Sequence, residues 1–434
     1  MPTSKFLSQQ DAANALVKYI YSGVLGDTKD ETFAYLAALE AESGPPSPIS
    51  RYEVEVNRQT GELSTPKPIE ITDNEMHQAI LAATGETVSS CRRFVDGGLS
   101  ISYKVTTVQK PDTGYVVQLR HHGHVASMDA LMRFVQANSR PGAIPLPLVY
   151  SIPGEAARQR DTAFGRQITQ FIPGHMAEGV YSQTSHATRL QFVRKMALAW
   201  QACWELPLPS PRQIGELTAI EDDSKTEINV GPDRHFSLGG PYSSVREWLR
   251  LRIQHTVTSL ERAYGIDDYK DKYLTLIKTF VDTRLGEIPE TVEQCPVVAL
   301  HVDMGLHNII VSAEDPTTIN AIIDWEFCAS APFLAAYECL DRLFRRGAEN
   351  GFGAEYPHAQ ELRDAFWDTI PTWKGYWESQ AAKDFMLWFR FAQFLKPSYC
   401  PSHWPKEKKM EFWAENIRIV EHMLDMFHCR EDVR

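Results

Sequence analysis

Three things are missing from this sequence of 434 residues, and each removes a class of function. It has no excess of basic charge. The formal net charge is -12, so nucleic acid or an anionic membrane surface would be repelled by the chain as a whole, and neither is expected as a partner. It has no paired cysteine spacing. The seven cysteines, Cys91, Cys203, Cys295, Cys328, Cys339, Cys400 and Cys429, are too scattered for a zinc site and read as reduced thiols. It has no apolar run approaching the ~20 residues needed to cross a bilayer. From Met1 to about Gly26 the apolar residues are interrupted by Lys5, Gln9, Gln10, Asp11 and Lys18, unlike a signal peptide, so a cytoplasmic location is expected. Repeats and low-complexity tracts are also absent. What is present is an ordinary globular composition, 43% hydrophobic and 23% charged, in a chain long enough for a two-lobed enzyme or two modest domains.

Residues 1–75 read as an N-terminal extension. Helical segments at Asp11–Tyr21 and Glu31–Ala41 end at Gly44-Pro45-Pro46-Ser47-Pro48. The alternation Tyr52-Glu53-Val54-Glu55-Val56, followed by a turn at Asn57–Gly61, predicts a hairpin. Thr72 or Asp73 would cap a helix over Asn74–Ala83 that stops at Gly85. Residues 76–172 form a first lobe, with strands expected near Phe94-Val95, Ile101–Val105, Tyr115–Arg120, Leu148–Tyr150 and Arg166–Ile172. A helix over Met128–Ala137 follows the third strand. Five strands and one helix predict a compact α+β lobe. Residues 173–434 read as mainly helical. Leu190, Val193, Met196, Ala197, Trp200 and Cys203 recur at helical spacing, and so do Tyr273, Leu274, Ile277, Phe280 and Val281. Ser244 with Glu247 gives a capping box, and Met410 to Phe427 predicts one long terminal helix. One β-like interruption, Val297–Phe327, stands out among these helices.

That interruption carries the chemistry. It contains His301-Val302-Asp303, then Asn308 after four residues, then apolar strand-like flanks, a polar turn at Asp315-Pro316, and Ile322-Ile323-Asp324-Trp325-Glu326. Transfer of a phosphoryl group needs a residue to receive or orient the acceptor hydroxyl, and oxygen ligands for Mg²⁺ beside the phosphates. A loop between two buried strands can hold an Asp and an Asn on one side, and a tight hairpin would return Asp324 next to it. Singly, Asp303 and Asn308 are also ordinary turn residues, and His301 and Trp325 ordinary core residues. Their joint occurrence in this order favours a site.

The motifs His301-x-Asp303-x4-Asn308 and Ile322-Ile323-Asp324-Trp325-Glu326 resemble those of the aminoglycoside phosphotransferase and choline kinase superfamily, and the Asp-Trp-Glu ending resembles its fungal-type branch. The likeness extends more loosely from about Arg92 to Leu340. It implies a protein-kinase-like two-lobed fold, with a small five-stranded antiparallel N-lobe over 76–172 and a larger helical C-lobe over 173–434 that includes a catalytic loop at 298–327. It implies ATP and Mg²⁺ as cofactors, a small-molecule hydroxyl acceptor, and a monomer or homodimer. By the same resemblance Asp303 is the catalytic base or hydroxyl-orienting residue, His301 its buttress, and Asn308 and Asp324 the metal ligands. Gly97, Gly98 and Ser100 fall where a phosphate-covering loop belongs. Either Arg120 or Gln118 projects to the phosphates, with Asp129 as the counter-ion on the following helix. Gln170, Phe171 and Ile172 form the adenine hinge. Glu338, Asp341, Trp373, Trp377 and Glu378 have two readings: an acidic and aromatic wall suited to an amine-bearing acceptor, or, the reading favoured here, solvated charges and core tryptophans. Two other readings stay open. A protein kinase is opposed by Asp-Trp-Glu in place of Asp-Phe-Gly and by the lack of a following Ala-Pro-Glu. A catalytically silent kinase-fold binding protein is opposed by the intact Asp303, Asn308 and Asp324 set.

Overall fold

The computed structural model describes residues 71–94, 100–120, 124–162, 164–210, 212–222, 225–233, 238–263, 265–400 and 404–427, and two short strands. These are β1 (Glu55–Val56) and β2 (Leu63–Ser64), which pair antiparallel across the expected turn. The helices expected at 11–21 and 31–41, Gly97, Gly98 and Cys429 lie outside the described residues.

Helix α1 (Asp73–Thr84) begins where the sequence says it should. The Thr72 hydroxyl accepts from the Glu75 N–H while the Glu75 carboxylate accepts from the Thr72 N–H, and Gly85 closes the helix in a left-handed conformation. An antiparallel sheet follows, β3 (Val88–Arg93), β4 (Ser100–Thr107), β5 (Tyr115–Arg120) and β6 (Gly165–Gln170), hydrogen-bonded in that order. The first strand lies over Val88–Arg93, earlier than the expected Phe94-Val95, because Cys91, Arg92 and Arg93 pair with Val105, Lys104 and Tyr103. The expected fifth strand shrinks to a single bridge between Val149 and Thr169, flanked by two backbone hydrogen bonds to Leu148 and Tyr150. Pro145, Pro147 and Pro153 flank this segment, and proline donates nothing to a ladder. Between β5 and β6 run α2 (Val125–Asn138) and α3 (Glu155–Thr162), both against β6. Leu131 and Val135 form part of the buried face of α2.

After β6 come β7 (His175–Met176), α4 (Ala177–Tyr181) and α5 (His186–Trp204). The chain then departs from the sequence reading. Instead of continuing as helix it forms a hairpin, β8 (Gly215–Asp222) and β9 (Lys225–Val230), with Leu217, Ala219 and Ile228 buried. Alternation over Leu217 and Ala219 signals this hairpin, but the sequence reading placed only one β-like interruption after residue 173. Helices α6 (Val245–Arg262) and α7 (Asp267–Arg284) follow, and the Ser244 hydroxyl caps α6 at the Glu247 N–H. Then come β10 (Val297–His301), β11 (Ile309–Val311), β12 (Ile319–Ile322) and β13 (Cys328–Pro332). The remaining helices are α8 (Tyr337–Asp341), α9 (Ala359–Thr369), α10 (Pro371–Glu378), α11 (Gln380–Phe394), α12 (Lys406–Phe412) and α13 (Ala414–Met426). The predicted single terminal helix is thus broken at Trp413, which is fully buried and donates its indole N–H to the Ser398 carbonyl. None of the described helices is long and apolar enough to cross a membrane.

The described residues of Ile253–Glu287 and Arg390–Arg434 make one compact unit, with Tyr269, Phe280, Phe391 and Trp413 in its core. Ile71–Arg252 and Ile288–Phe389 make the other, which contains every described candidate site residue. In it β10 pairs with β13, and β13 with β8, while a separate sheet takes the order β12-β11-β7. Gly174, between β6 and β7, sits at φ 143 with the Val311 carbonyl 2.1 Å from where a side chain would begin. Gly174→Ala is expected to destabilise the fold by about 1–3 kcal/mol through strain and clash, read as a lowered denaturant midpoint at unchanged slope.

Candidate active site

Two loops meet where β10 and β13 pair. His301 ends β10 opposite Cys328, the first residue of β13, so the chain after His301 and the chain before Cys328 leave the sheet side by side. Backbone hydrogen bonds lock them together, Val302 N–H to the Phe327 carbonyl (2.7 Å) and Ile323 N–H to the Asn308 carbonyl (2.9 Å). Between them β11 and β12 form the expected hairpin, with Ile309 opposite Ile322. His301 is fully buried, its Nε2–H donates to the Ile323 carbonyl (2.9 Å), and its ring meets Trp325 edge-on at 4.9 Å. A carbonyl can only accept, so Nε2 carries the proton. Burial pushes the His301 pKa down, despite nearby Asp303 and Asp324, and keeps the ring neutral.

Asp303 stands on the loop after β10. Its Oδ2 accepts from His307 Nε2 (3.0 Å) and from Asn308 Nδ2 (3.1 Å). Asn308 Nδ2 also donates to the Asp303 carbonyl (2.9 Å). Both partners are oxygens, so the amide orientation is fixed and the Asn308 carbonyl oxygen points away from Asp303. Partial burial works to raise the Asp303 pKa, but the hydrogen bond and charge of His307 outweigh it and hold the carboxyl below its ordinary range. His307 responds in the opposite sense: the Asp303 hydrogen bond lifts its pKa above 6.5, against its burial. Each partner thus favours the charged form of the other. Stability from His307 is fully present below its unfolded pKa and is lost as pH rises through its raised folded value. Stability from Asp303 is lost as pH falls through its lowered one. An NMR titration of the imidazoles is expected to place His307 above 6.5, and Asp303→Asn is expected to lower it; an unchanged His307 midpoint would refute the pairing.

Asp324 follows β12 in a left-handed backbone conformation, φ 64, which Asp tolerates better than most residues. Its Oδ1 accepts from Arg120 Nη2 (2.8 Å). Burial acts to raise the Asp324 pKa, and Arg120 overrides it and holds the carboxylate below its usual range. Arg120 arrives from the end of β5. Tyr115, Val117 and Leu119 point into the core, while Val116, Gln118 and Arg120 alternate onto the other face. Sequence alone left Arg120 and Gln118 as rivals, and the structure puts both at the site, with Arg120 Nη2 donating to Gln118 Oε1 (2.9 Å). Ser100 pairs with Arg120 across the β4–β5 ladder, and its hydroxyl is 3.5 Å from Gln118 Nε2.

Asp129 is buried on α2 and reaches Arg120 through Gln167, which accepts from Arg120 Nε (3.1 Å) and donates to Asp129 Oδ1 (2.9 Å). Arg120 Nη1 bonds Glu326, a residue to which the sequence reading gave no role. His307 was likewise passed over, although its i,i+4 spacing from Asp303 was a usable signal. The residues expected at the hinge lie at the other end of β6. Gln170 pairs with Tyr115, its N–H bonds the Leu148 carbonyl (2.8 Å), and the Phe171 N–H bonds Gly114 (3.2 Å). Lys104 stands 3.9 Å from the Phe171 ring centre, and Ile172 follows half-buried.

The C-terminal acids and tryptophans follow the favoured of their two readings, paired charges and core rings. Each carboxylate is met by a cation, Glu338 by Arg342 (3.7 Å), Asp341 by Arg345 (2.7 Å) and Glu378 by Lys374 (3.7 Å). Trp373 is buried against Trp204 (4.7 Å) and Phe333 (5.5 Å). Trp377 is stacked between Tyr337 and Trp367. The physical reason is helical spacing: all three cations stand four residues from their acids and neutralise them locally. Helix α8 nonetheless touches the loop, with Cys339 Sγ 3.8 Å from Asp303 Oδ1.

A small antiparallel sheet thus lends Arg120 to a carboxylate that follows the hairpin between two paired strands. The chain belongs to the phosphotransferase enzyme family, whose model matches residues 91–367. Among solved structures it is similar to the aminoglycoside phosphotransferase APH(4)-Ia, at 16% identity over 82% of this chain and 99% of that one, TM-score 0.47. It is also similar to the AMP-bound complex of spectinomycin phosphotransferase APH(9)-Ia, at 14% identity over 82% and 96%, TM-score 0.44. A third is ADP-bound APH(2'')-Ib, at 12% identity over 81% and 99%, TM-score 0.46. Comparison with curated proteins finds no match.

Proposed function

We propose that this phosphotransferase moves the γ-phosphoryl group of ATP to a hydroxyl of a small molecule, with Mg²⁺ held by Asn308 and Asp324. The observation that supports this best is that the loops carrying Asp303, Asn308 and Asp324 leave the β10–β13 pairing side by side and are tied by the Ile323–Asn308 backbone hydrogen bond, with the Asn308 amide turned so that its oxygen is left for a ligand. The donor set fits the metal: carboxylate and amide oxygens are the hard ligands that magnesium prefers. When bound, magnesium neutralises charge on the phosphates during transfer.

The chain's own residues do the rest. Asp303, ionised at neutral pH, accepts a hydrogen bond from the acceptor hydroxyl and aims its oxygen at the γ-phosphorus. A bond forms between that oxygen and phosphorus, the bond to the bridging β–γ oxygen breaks, and ADP leaves with its electron pair. The hydroxyl proton passes to the Asp303 carboxylate. A depressed pKa makes Asp303 a weak base, which suits a loose transition state in which the proton leaves late. His301, neutral and buried, fixes the loop by its bond to Ile323. Arg120, flanked by Ser100 and Gln118, marks the phosphate end of the β5–β6 ladder. Gln170, Phe171 and Ile172 mark its nucleotide-base end. In this reading residues 76–172 are the nucleotide-covering lobe, residues 173–434 the acceptor-binding lobe, and residues 1–75 an extension.

The test is turnover. The protein is incubated with ATP, Mg²⁺ and a panel of hydroxylated amines, sugars and secondary metabolites, and products are followed by mass spectrometry. A phosphorylated product that requires Mg²⁺ is expected. Absence of any product across the panel, with nucleotide still bound, would favour a silent binding protein instead.

A further inference from the structure

Arg120 is the most completely engaged charge in the site. It is 3% exposed, and four of its five N–H groups have partners: Gln167 at Nε, Glu326 at Nη1, and Gln118 and Asp324 at Nη2. A guanidinium this buried needs a counter-ion. Asp129, the helix acid expected in that role, is joined to it through the neutral Gln167 amide, which passes on geometry but not charge. Two carboxylates do touch Arg120 directly, and both come from the one segment Asp324-Trp325-Glu326. Glu326 is the more enclosed, 7% exposed against 32% for Asp324. Trp325, buried between them, donates its indole N–H to the Ile322 carbonyl (2.9 Å) and pins the segment.

Charge bookkeeping gives these two acids different work. One arginine against two carboxylates leaves one negative charge over. If Glu326 meets the arginine, the uncompensated charge sits at Asp324, the more open acid, where a cation can use it. If Glu326 were neutral, Arg120 and Asp324 would form a closed one-to-one pair. Asp324 would then have to give up that pairing to bind a metal.

We propose that Glu326 is a positioning residue: it is the counter-ion of Arg120, in the place expected for a helix acid, and by neutralising the guanidinium it keeps the Asp324 carboxylate available to a divalent cation. This rests on the reading of Asp324 as a metal ligand. It also makes the third residue of the segment, and not Asp129, the determinant of the site's metal requirement.

The experiment measures binding of a fluorescent ATP analogue to the full chain across a Mg²⁺ titration, with thermal unfolding of the unliganded protein alongside. Glu326→Gln is expected to raise the Mg²⁺ concentration for half-maximal binding about tenfold and to change affinity for metal-free nucleotide less than about threefold. Asp129→Asn is expected to leave the Mg²⁺ midpoint within about twofold. Because breaking a buried pair can cost stability by itself, the double variant Arg120→Met with Glu326→Leu separates the effects. It is expected to recover, in the unliganded protein, the thermal midpoint lost in Glu326→Gln, because no buried charge is then left without its counter-ion. A Mg²⁺ midpoint unchanged in Glu326→Gln, or raised equally in Asp129→Asn, would overturn the proposal. If the wild-type protein binds nucleotide without any Mg²⁺ dependence, the functional reading of Asp324 fails. The Arg120–Glu326 pairing is then judged on the unfolding data alone, where additive losses in the single and double variants would overturn it too.

Discussion

Asp303→Asn is expected to reduce turnover by about 10²–10⁴-fold while nucleotide affinity changes little. The reason is that the substitution removes a proton acceptor and almost nothing else. Asparagine keeps an oxygen where Asp303 Oδ2 now accepts from Asn308 and His307, so the loop hydrogen bonds can persist. The side chain lies on the loop after β10, and the Gln170–Ile172 segment assigned to the nucleotide base belongs to a different element, so nucleotide contacts are not expected to change. A loss confined to kcat is the signature of an interaction made in the transition state. The measurement is steady-state kinetics with whichever acceptor the panel yields, with nucleotide binding measured in parallel. A variant within tenfold of wild type would remove Asp303 from the chemistry, and with it the proposed mechanism.

Asp324→Asn is expected to be as damaging, about 10³-fold in kcat/KM, but through a different quantity. Asparagine is the right replacement because the backbone at 324 is left-handed, a conformation in which asparagine is among the least strained of residues, so the loop keeps its course. What is lost is a charge. The site goes from two carboxylates facing Arg120 to one, and the surplus negative charge that would hold a divalent cation disappears. The expected result is that binding of the ATP analogue loses its dependence on Mg²⁺, whereas in Asp303→Asn that dependence persists. The two variants therefore fail differently, and the contrast separates proton handling from metal holding. Retention of a wild-type Mg²⁺ titration in Asp324→Asn would sink its assignment as a ligand.

Much of the candidate site's local arrangement is legible in the sequence, and for a specific reason. Asp303 and Asn308 are five residues apart on one loop, and Asp324 returns on a hairpin whose strands are apolar and whose turn is marked by Asp315-Pro316. Every step in that chain of inference is local: strand, loop, strand, turn, strand. The same holds for the Thr72–Glu75 capping box and the Ser244 cap, where short-range hydrogen bonds between named side chains and nearby N–H groups decide where a helix starts.

The misreadings fall where partners are distant. The β8–β9 hairpin was passed over because the surrounding helical pattern suggested more of the same. Its place in the fold comes from pairing with β13 about a hundred residues on, which no window of sequence displays. The terminal helix was drawn as one piece because its apolar period runs on unbroken, whereas the indole of Trp413 is claimed by Ser398 and a break results.

Which residue types make up the candidate site, and in what order, can be read from neighbouring residues, because local periodicity, capping and turn chemistry are short-range. Which of them face each other is settled by long-range packing. Arg120 and Glu326 are 206 positions apart, and their meeting depends on how one sheet is set against one hairpin by packing, which is a property of the whole unit and of no short segment.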